Sequence, residues 1–384
     1  MRIVHVANFY GPKSGGIKTT LHELGRGYKE AGHEFIYIVP GIRHSSEVTE
    51  FGRRITLPSF LLPGTGSYRV IKSNRELREY IAHQRPDRLE VSDRFTLTSL
   101  GQWARERNLP TVVFSHETLR GLASRFLPSL LGLREVLVNW HNRRLARSFD
   151  TVIATTDFAA KEFLDVGAKN IKKIPLGVDL HTFLPTHRSF QTHHRLVQGA
   201  DLLLMHCGRL SPEKEPHRSI EALVALRSRG VEAHLVYLGT GPLEAKLRKL
   251  AHDLPVTFLG YIPDRRIVAE LIASSDVSLA PGPLETFCLS ALESLASGTP
   301  VVASSSSAVG EFLVGSPVAG AIAADNGESF ADAIIDIFED HGLRKAAREV
   351  AEKLPWSSTI TAMLQVHGYV EQEYVELDKN LLAG

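Results

Sequence analysis

PGPLETFCLSALESLASGTPVVAS, residues 281–304, joins a loop, a short amphipathic helix and a β-branched strand. Apolar side chains recur along Leu289–Ala296 at helical spacing, which predicts a helix with one buried face. We expect Thr286 to cap the amino end of this helix and Gly298 to end it. A helix that leads straight into an apolar strand is typical of a parallel α/β sheet.

Strand-like apolar runs alternate with helical segments on both sides of this stretch. Because the runs are apolar on both faces, they predict two doubly wound parallel sheets, that is, an α/β protein with two Rossmann-like domains. The polar, Gly- and Pro-containing segment 174–195 predicts the boundary between them. We expect one domain at 1–176, joined by a C-terminal helix at about 360–384, and a second at 177–359. The runs are RIVHVAN, FIYIVPG, RRITLP, RLEVS, TVVFSH and TVIATT, then LLLMHCG, AHLVYLG, VTFLGYI, VSLAPG and PVVAS.

The composition is that of a globular protein, with 384 residues, 43% hydrophobic and 23% charged. The amino terminus reads as a first strand and not as a signal peptide, and no apolar run approaches the roughly 20 residues that span a bilayer. Only Cys207 and Cys288 are present, so no disulfide framework is implied and a reduced, cytoplasmic setting is expected.

Charge is distributed unevenly along the chain. Residues 1–150 hold 23 Lys and Arg against 14 Asp and Glu, a net charge of +9, and residues 151–384 carry −8. A basic half predicts contact with phosphate groups, an acidic lipid surface or nucleic acid. Solvated helix faces are the alternative interpretation.

Two glutamates frame the predicted helix. Glu285 and Glu293 are eight positions apart, which corresponds to about 12 Å along a helix axis. That exceeds the separation of about 5 Å in a retaining glycosidase pair. It fits a long ligand with a sugar at one end and a ribose at the other, with a diphosphate at the helix amino end. A helix with two surface glutamates is the alternative.

Two cations follow the end of another predicted strand, in HCGRLSPEK. Arg209 and Lys214 could stabilise the negative charge on a departing diphosphate, although solvated loop cations are an alternative. The chain has no Asp-x-Asp, HExxH, paired CxxC or GxSxG motif. We therefore expect these cations, and no metal ion, to neutralise the leaving group.

Further candidates lie where other strands end. Gly15 and Gly16 open the first long helix and could let the backbone approach a phosphate, or form an ordinary turn. His116 could bond a sugar hydroxyl or be structural. Asp93 could face an acceptor hydroxyl or cap a helix.

These motifs resemble the retaining glycosyltransferase family 4, whose members have the two-domain GT-B fold. The likeness rests on the Glu-x7-Glu pattern with the upstream Arg and Lys, and extends to Gly15–Gly16, GVD at 177–179, GTGP at 239–242 and FLGYIPD at 258–264. A narrower likeness, in VANFYGPKSGG, PGTGSYR, LEVSDR, SHETL and APGPLETF, is to actinobacterial phosphatidylinositol-mannoside mannosyltransferases. Cys288 departs from the pattern, since the family usually has glycine there.

The resemblance implies roles for individual residues. Arg209 and Lys214 would bind the diphosphate, with Glu285 and His116 at the hexose. Glu293 would bind the ribose, and Asp264 the base, where a carboxylate favours guanine over uracil. The implied donor-binding set is Gly15, Gly16, Arg209, Lys214, Asp264, Glu285, Thr286, Phe287, Cys288, Leu289 and Glu293; the catalytic set is Arg209, Lys214, His116 and Glu285; and the acceptor contacts are Tyr68, Arg69 and Asp93.

The implied activity is metal-independent transfer of mannose from GDP-mannose, with retention, to a lipid-linked acceptor. The N-terminal domain would bind the acceptor and the C-terminal domain the nucleotide sugar. With no carboxylate evident behind the anomeric carbon, we expect the leaving phosphate to take the acceptor proton. The alternatives are a UDP-sugar-dependent family 4 transferase acting on a soluble acceptor, a nucleotide-sugar epimerase or phosphorylase on the same fold, and a non-catalytic binding module.

The expected location is the cytoplasm, with peripheral contact to the inner face of the plasma membrane and no nucleic-acid partner. Leu133, Val136, Leu137 and Trp140 share one helical face beside several arginines. Such a face suits anionic lipid, and packing on its own domain is the alternative.

Overall fold

The computed structural model describes residues 1–11, 15–62, 68–126, 132–313, 319–338 and 343–369. For residues 122 and 124–126 it describes the backbone and not the side chains. The predicted C-terminal helix therefore lies partly outside the described residues. Two sheets, one in each half of the chain, organise the rest.

The first sheet runs in the order β3-β4-β2-β1-β6-β7-β8-β9, with β5 paired to β4. Its central strands are parallel, as predicted. Its strands are β1 Arg2–Val6, β2 Glu34–Gly41, β3 Ser45–Thr49, β4 Gly52–Leu61, β5 Arg69–Ile71, β6 Arg88–Val91, β7 Thr111–Ser115, β8 Thr151–Ala154 and β9 Ile171–Lys173. The helices of this half are α1 Gly16–Glu30, α2 Asn74–Gln84, α3 Ser99–Arg105, α4 Leu119–Phe126, α5 Leu133–Ser148 and α6 Asp157–Leu164.

The first sheet departs from the predicted parallel pattern only at one edge. Strands β3 and β5 each pair with β4 in the antiparallel direction. The sequence of β3, SSEVT, is polar and almost entirely exposed, so it lacks the apolar run by which the other strands are recognised. An edge strand of this kind needs no second buried face.

The second sheet is parallel throughout its described strands, in the order β12-β11-β10-β13-β14-β15. These strands are β10 Leu202–Cys207, β11 Ala233–Leu238, β12 Val256–Gly260, β13 Val277–Ala280, β14 Val301–Ser304 and β15 Gly320–Ala323. The helices of the second half are α7 Phe190–Val197, α8 His217–Ser228, α9 Glu244–Leu250, α10 Arg265–Ala273, α11 Leu289–Ala296, α12 Gly310–Leu313, α13 Gly327–Phe338, α14 Leu343–Glu352 and α15 Trp356–Val366.

Each sheet is covered by apolar clusters on both faces. In β1, Val4 and Val6 pack in one cluster, and Ile3 belongs to another on the opposite face. The second sheet is covered in the same way. Burial of one such side chain stabilises the fold by about 1.5–3 kcal/mol, so the alternation of strand residues between the faces fixes the layers.

The last described helix crosses back to the first half. In α15, Met363 and Leu364 join the cluster that contains Leu21 and Leu24 of α1. A Cβ at Gly27 would lie 2.3 Å from Ile360 Cδ1, so glycine allows the close crossing of α1 and α15. Residues 174–201 connect β9 with β10, and α7 begins at Phe190, inside the predicted boundary segment 174–195. The domain limits themselves stay a prediction.

Candidate functional site

The carboxyl ends of the two sheets face each other, and we call the region between them the gap. Thr286, after β13, donates a hydrogen bond from Oγ1 to the carbonyl of His116, after β7, at 2.6 Å. A Cβ at Gly16 would lie 4.0 Å from Leu289 Cδ1, so the amino end of α1 lies against the start of α11. Ligands of open α/β sheets bind at such strand ends.

Thr286 connects the two halves and does not cap α11, so the capping prediction is wrong. Its carbonyl accepts hydrogen bonds from Thr155 Oγ1 at 3.1 Å and Thr156 Oγ1 at 2.8 Å, both in the first half. Its hydroxyl is bound to His116, and α11 has no side-chain cap. The predicted helix bounds, Leu289–Ala296, are confirmed, and Glu285 lies in the loop before the helix.

Cys288 is the residue immediately before α11, and its backbone is left-handed, with φ 66° and ψ 75°. Glycine adopts this conformation without strain, whereas other residues incur roughly 1–2 kcal/mol. The family's usual glycine is thereby explained. Burial and the nearby Glu285 carboxylate raise the pKa of the Cys288 thiol to about 12, so it stays protonated.

We expect Cys288→Gly to keep an apparent Tm within a few degrees of wild type, because relief of backbone strain offsets the loss of a small buried side chain. Cys288→Val should lower the apparent Tm by several degrees, since a β-branched residue is a genuine outlier at positive φ. Thermal unfolding measures both. Cys207→Val, the same change within strand β10, is the control; an equal loss in the two valine variants would contradict the interpretation.

Lys214 and Glu285 form an ion pair, with Nζ and Oε1 2.5 Å apart. The Glu285 side chain is 12% exposed and that of Lys214 is 31% exposed, so water screens the pair only in part. Burial by itself would lower the pKa of Lys214, but the Glu285 carboxylate holds it above the ordinary value. A positive charge is thus fixed beside the loop that precedes α11.

Arg209 reaches the first half of the chain. Its guanidinium carbon lies 4.5 Å from the centre of the Tyr68 ring, a cation–π distance, and Nη2 pairs with Glu213 Oε1 at 2.6 Å. Burial raises the pKa of Tyr68. The two cations predicted from HCGRLSPEK therefore lie at the gap. Lys214 is paired with Glu285, and Arg209 lies against the ring of Tyr68.

Glu293, on α11, pairs through Oε1 with Arg265 Nη2 at 2.8 Å. Arg265 was not identified from the sequence, although it follows Asp264 directly in a segment that the resemblance covers. Asp264 is exposed and caps α10 by accepting a hydrogen bond from Arg266 N at 2.8 Å. The proposed contact between Asp264 and a base stays a prediction.

His116 and Glu117 follow strand β7 at the edge of the gap. Burial lowers the pKa of His116 to about 3, so its imidazole is neutral at physiological pH. Burial and the charge of Asp93 raise the pKa of Glu117, against the opposing effect of Lys214 and other cations. Glu117 is a further candidate that the sequence analysis did not single out, although it stands in the SHETL stretch.

Three predicted site residues use their side chains elsewhere. Asp93 is 3% exposed and accepts hydrogen bonds from the backbone of Phe95 and Thr96, at 2.7 and 3.0 Å. Asp93 therefore holds a turn and does not cap a helix, because α3 begins at Ser99 and has no side-chain cap. Phe287 is buried in the core of the second half, and Arg69 lies 3.5 Å from the carbonyl of Ser59 on the adjoining strand. Their assigned binding roles stay predictions.

As pH falls, the fold should lose stability already at pH values above those at which ordinary carboxylates are protonated. Burial lowers the pKa of His206, like that of His116, from 6.5 to about 3. Between these values the unfolded state binds a proton that the folded state does not, so stability is lost as pH falls below 6.5. The loss is up to about 1.4 kcal/mol per pH unit for each histidine.

We expect urea midpoints measured between pH 7 and pH 5 to fall more steeply for the wild type than for His206→Asn. The exposed His252 provides the control variant His252→Asn, which should keep the wild-type slope. An unchanged slope in His206→Asn would contradict the expectation.

Among the described residues, no group of three or more His, Cys, Asp or Glu side chains could hold a metal ion. Metal independence remains a prediction.

Comparison with known proteins gives matches over both halves. Residues 14–182 match the model of Glycosyltransferase Family 4, and residues 191–354 match that of Glycosyl transferases group 1. The chain is 46% identical over 371 residues, 96% of each protein, to the GDP-mannose-dependent alpha-(1-6)-phosphatidylinositol dimannoside mannosyltransferase of Mycobacterium tuberculosis.

Two solved structures share the fold at low identity. Sucrose-phosphate synthase from Thermosynechococcus elongatus has a TM-score of 0.76 and 20% identity, and the match covers 96% of this chain and 98% of that one. HepE from Anabaena, solved in complex with UDP and glucose, has a TM-score of 0.72 and 17% identity, with 96% and 99% covered.

Proposed function

This chain belongs to glycosyltransferase family 4, and on that basis we propose that it transfers mannose from GDP-mannose to a lipid-linked acceptor such as a phosphatidylinositol mannoside. The two facing sheets are those of the GT-B fold, and the chain is a glycosyltransferase. The single observation that supports this choice of donor and acceptor is the 46% identity over 96% of the chain to the M. tuberculosis enzyme.

The geometry of the gap supports a sugar-nucleotide donor. Glu285 lies before the amino end of α11, and Glu293 lies within it beside Arg265. A helix amino end favours phosphate through its N–H groups and dipole. A donor laid along α11 would therefore place its hexose near Glu285, its diphosphate at the helix start and its ribose near Glu293.

Arg209 and Lys214 would stabilise the leaving diphosphate. Both are fixed before a substrate arrives, by Tyr68 and Glu285 respectively. Preorganised charge of this kind stabilises the transition state most strongly where water is excluded. In the proposed mechanism the leaving phosphate oxygen takes the acceptor proton on the same face of the sugar, which retains the anomeric configuration without a protein nucleophile.

Contact with an anionic membrane would present the lipid acceptor to the gap. On α5, Leu133, Val136, Leu137 and Trp140 are 50–63% exposed, so at least half of each apolar side chain is open to solvent. Arg144 stacks over Trp140 at 5.4 Å. Exposed apolar side chains flanked by arginines suit the interface of an anionic bilayer. None of the described helices is long and apolar enough to cross a membrane.

The donor is tested by incubating the purified chain with GDP-mannose, UDP-glucose or UDP-galactose and phosphatidylinositol-mannoside vesicles, followed by mass spectrometry of the lipids. We expect a hexose added only from GDP-mannose. Transfer from a UDP-sugar would support the alternative donor, and an isomerised nucleotide sugar without lipid product would support an epimerase.

Membrane contact is tested by flotation with vesicles that contain an acidic phospholipid. Trp140→Glu should reduce binding, whereas Phe338→Glu, which alters an exposed aromatic residue of the second half, should not. Equal binding by the two variants would rule out this face of α5.

A further inference from the structure

A row of polar side chains runs from His116, at the gap, into the first sheet. His116 Nε2 lies 2.9 Å from Ser92 Oγ, which lies 2.8 Å from His5 Nε2. His5 Nδ1 in turn lies 2.6 Å from Glu90 Oε2. His5 and Glu90 are completely buried and Ser92 is 3% exposed, so no competing solvent bond is available to them.

The topology of the sheet builds this row. Strand β6, which carries Glu90 and leads into Ser92, lies between β1 with His5 and β7 with Phe114. The Phe114 ring stacks on His5 at 5.4 Å and on His116 at 5.6 Å. The imidazole of His116 is therefore held by a hydrogen bond at one edge and by an aromatic face.

Glu90 fixes the inner end of the row. Its Oε1 accepts a hydrogen bond from the Tyr28 hydroxyl at 2.7 Å and lies 2.7 Å from His367 Nε2, on the turn after α15. Burial opposes ionisation, but the hydrogen bonds from His367 and His5 hold the pKa of Glu90 far below its ordinary value. An ionised carboxylate only accepts hydrogen bonds.

This constraint fixes the inner end of the row, where His5 donates its Nδ1–H to Glu90. One arrangement of the remaining hydrogens has the Ser92 hydroxyl donating to His5 Nε2. The Ser92 oxygen then accepts from His116 Nε2–H. That tautomer leaves His116 Nδ1 with a lone pair, and in the described part of the chain no residue bonds to Nδ1.

We propose that Glu90, His5 and Ser92 are positioning residues, which hold His116 in the Nε2–H tautomer with Nδ1 available to accept a hydrogen bond from a donor-hexose hydroxyl. The inference deepens the proposed function and rests on the role at the donor hexose that the family resemblance implies for His116. Orientation of a substrate contributes strongly to rate, and a misplacement of about 1 Å can cost about 100-fold. Nothing in the sequence brings these residues together, since His5 and Glu90 stand far apart along the chain.

The tautomer can be measured without substrate. In the full chain labelled with ¹⁵N-histidine, two-bond correlations distinguish the Nε2–H from the Nδ1–H form, and His116→Gln identifies the His116 signals. We expect the Nε2–H form in the wild type and a mixture in Ser92→Ala. An Nδ1–H ring in the wild type, or an unchanged ring in Ser92→Ala, overturns the proposal whatever sugar the enzyme transfers.

Kinetics test whether Ser92 acts through His116. Ser92→Ala should lower kcat/KM by roughly 10- to 100-fold, and should have no further effect in a His116→Gln background. Thr111→Val, which removes a 2%-exposed hydroxyl at the opposite end of β7, is the matched control: we expect a similar fall in Tm and unchanged kcat/KM. Multiplicative losses in the double variant would overturn the positioning role.

Discussion

Replacing Lys214 with alanine is expected to lower kcat by about 10²–10³-fold, the usual cost of removing one preorganised group that stabilises transition-state charge. Its ammonium lies 2.5 Å from Glu285, at the loop where the leaving diphosphate is expected. Because the charge develops as the glycosidic bond breaks, the loss should fall mainly on kcat, with a smaller change in the KM for the donor.

The control for this prediction is Lys161→Ala, which removes a lysine from an exposed ion pair with Asp165 in the first half. It should leave kcat unchanged. Lys214→Ala also leaves the Glu285 carboxylate without its partner, so some loss of Tm is expected as well. Turnover at the wild-type rate in a folded Lys214→Ala variant would exclude the assigned role.

Glu293→Gln is expected to raise the KM for GDP-mannose by roughly 10- to 100-fold with little change in kcat, since a hydrogen bond to a charged acceptor contributes about 1.5–3 kcal/mol. The substitution keeps the shape of the side chain and removes the charge that would bind the ribose. Ribose contacts are the same before and during bond cleavage, so their loss affects binding and leaves the chemical step intact. Initial rates at varied donor concentration separate the two constants.

Glu270→Gln on α10 is the matched control, because Glu270 accepts a hydrogen bond from Thr192 at 2.6 Å within the second half. Its kinetics should equal those of the wild type. A fall in kcat at unchanged KM in Glu293→Gln would place this carboxylate at the reacting end of the donor and so reverse the proposed orientation.

The sequence predicted the elements whose side chains are buried on both faces. Long apolar runs identified the central strands of both sheets, and the apolar spacing gave the bounds of α11. Strands β3, β5, β9 and β15 were missed. β3 is polar and exposed, and β9 has only three residues, two of which are exposed lysines. Local pattern thus identifies a strand where it contains a long enough apolar run.

Contacts between distant segments were harder to predict. The capping prediction for Thr286 failed because its hydroxyl binds His116, a partner 170 positions away. The Arg265–Glu293 pair and the row from His116 to Glu90 likewise depend on which strands and helices become neighbours. The resemblance could indicate which residues meet a ligand, but not which side chains hold those residues in place.

During translation, His367 is made long after the first-sheet residues that it contacts. Most of the first sheet and its pairings belong to the first half of the chain and can form early, whereas the His367 imidazole reaches Glu90 only after the strands of the second sheet have been synthesised. A nascent chain therefore carries His116 long before the contacts of Glu90 are complete. The row of side chains behind His116 should be complete only once residue 367 has left the exit tunnel and docked.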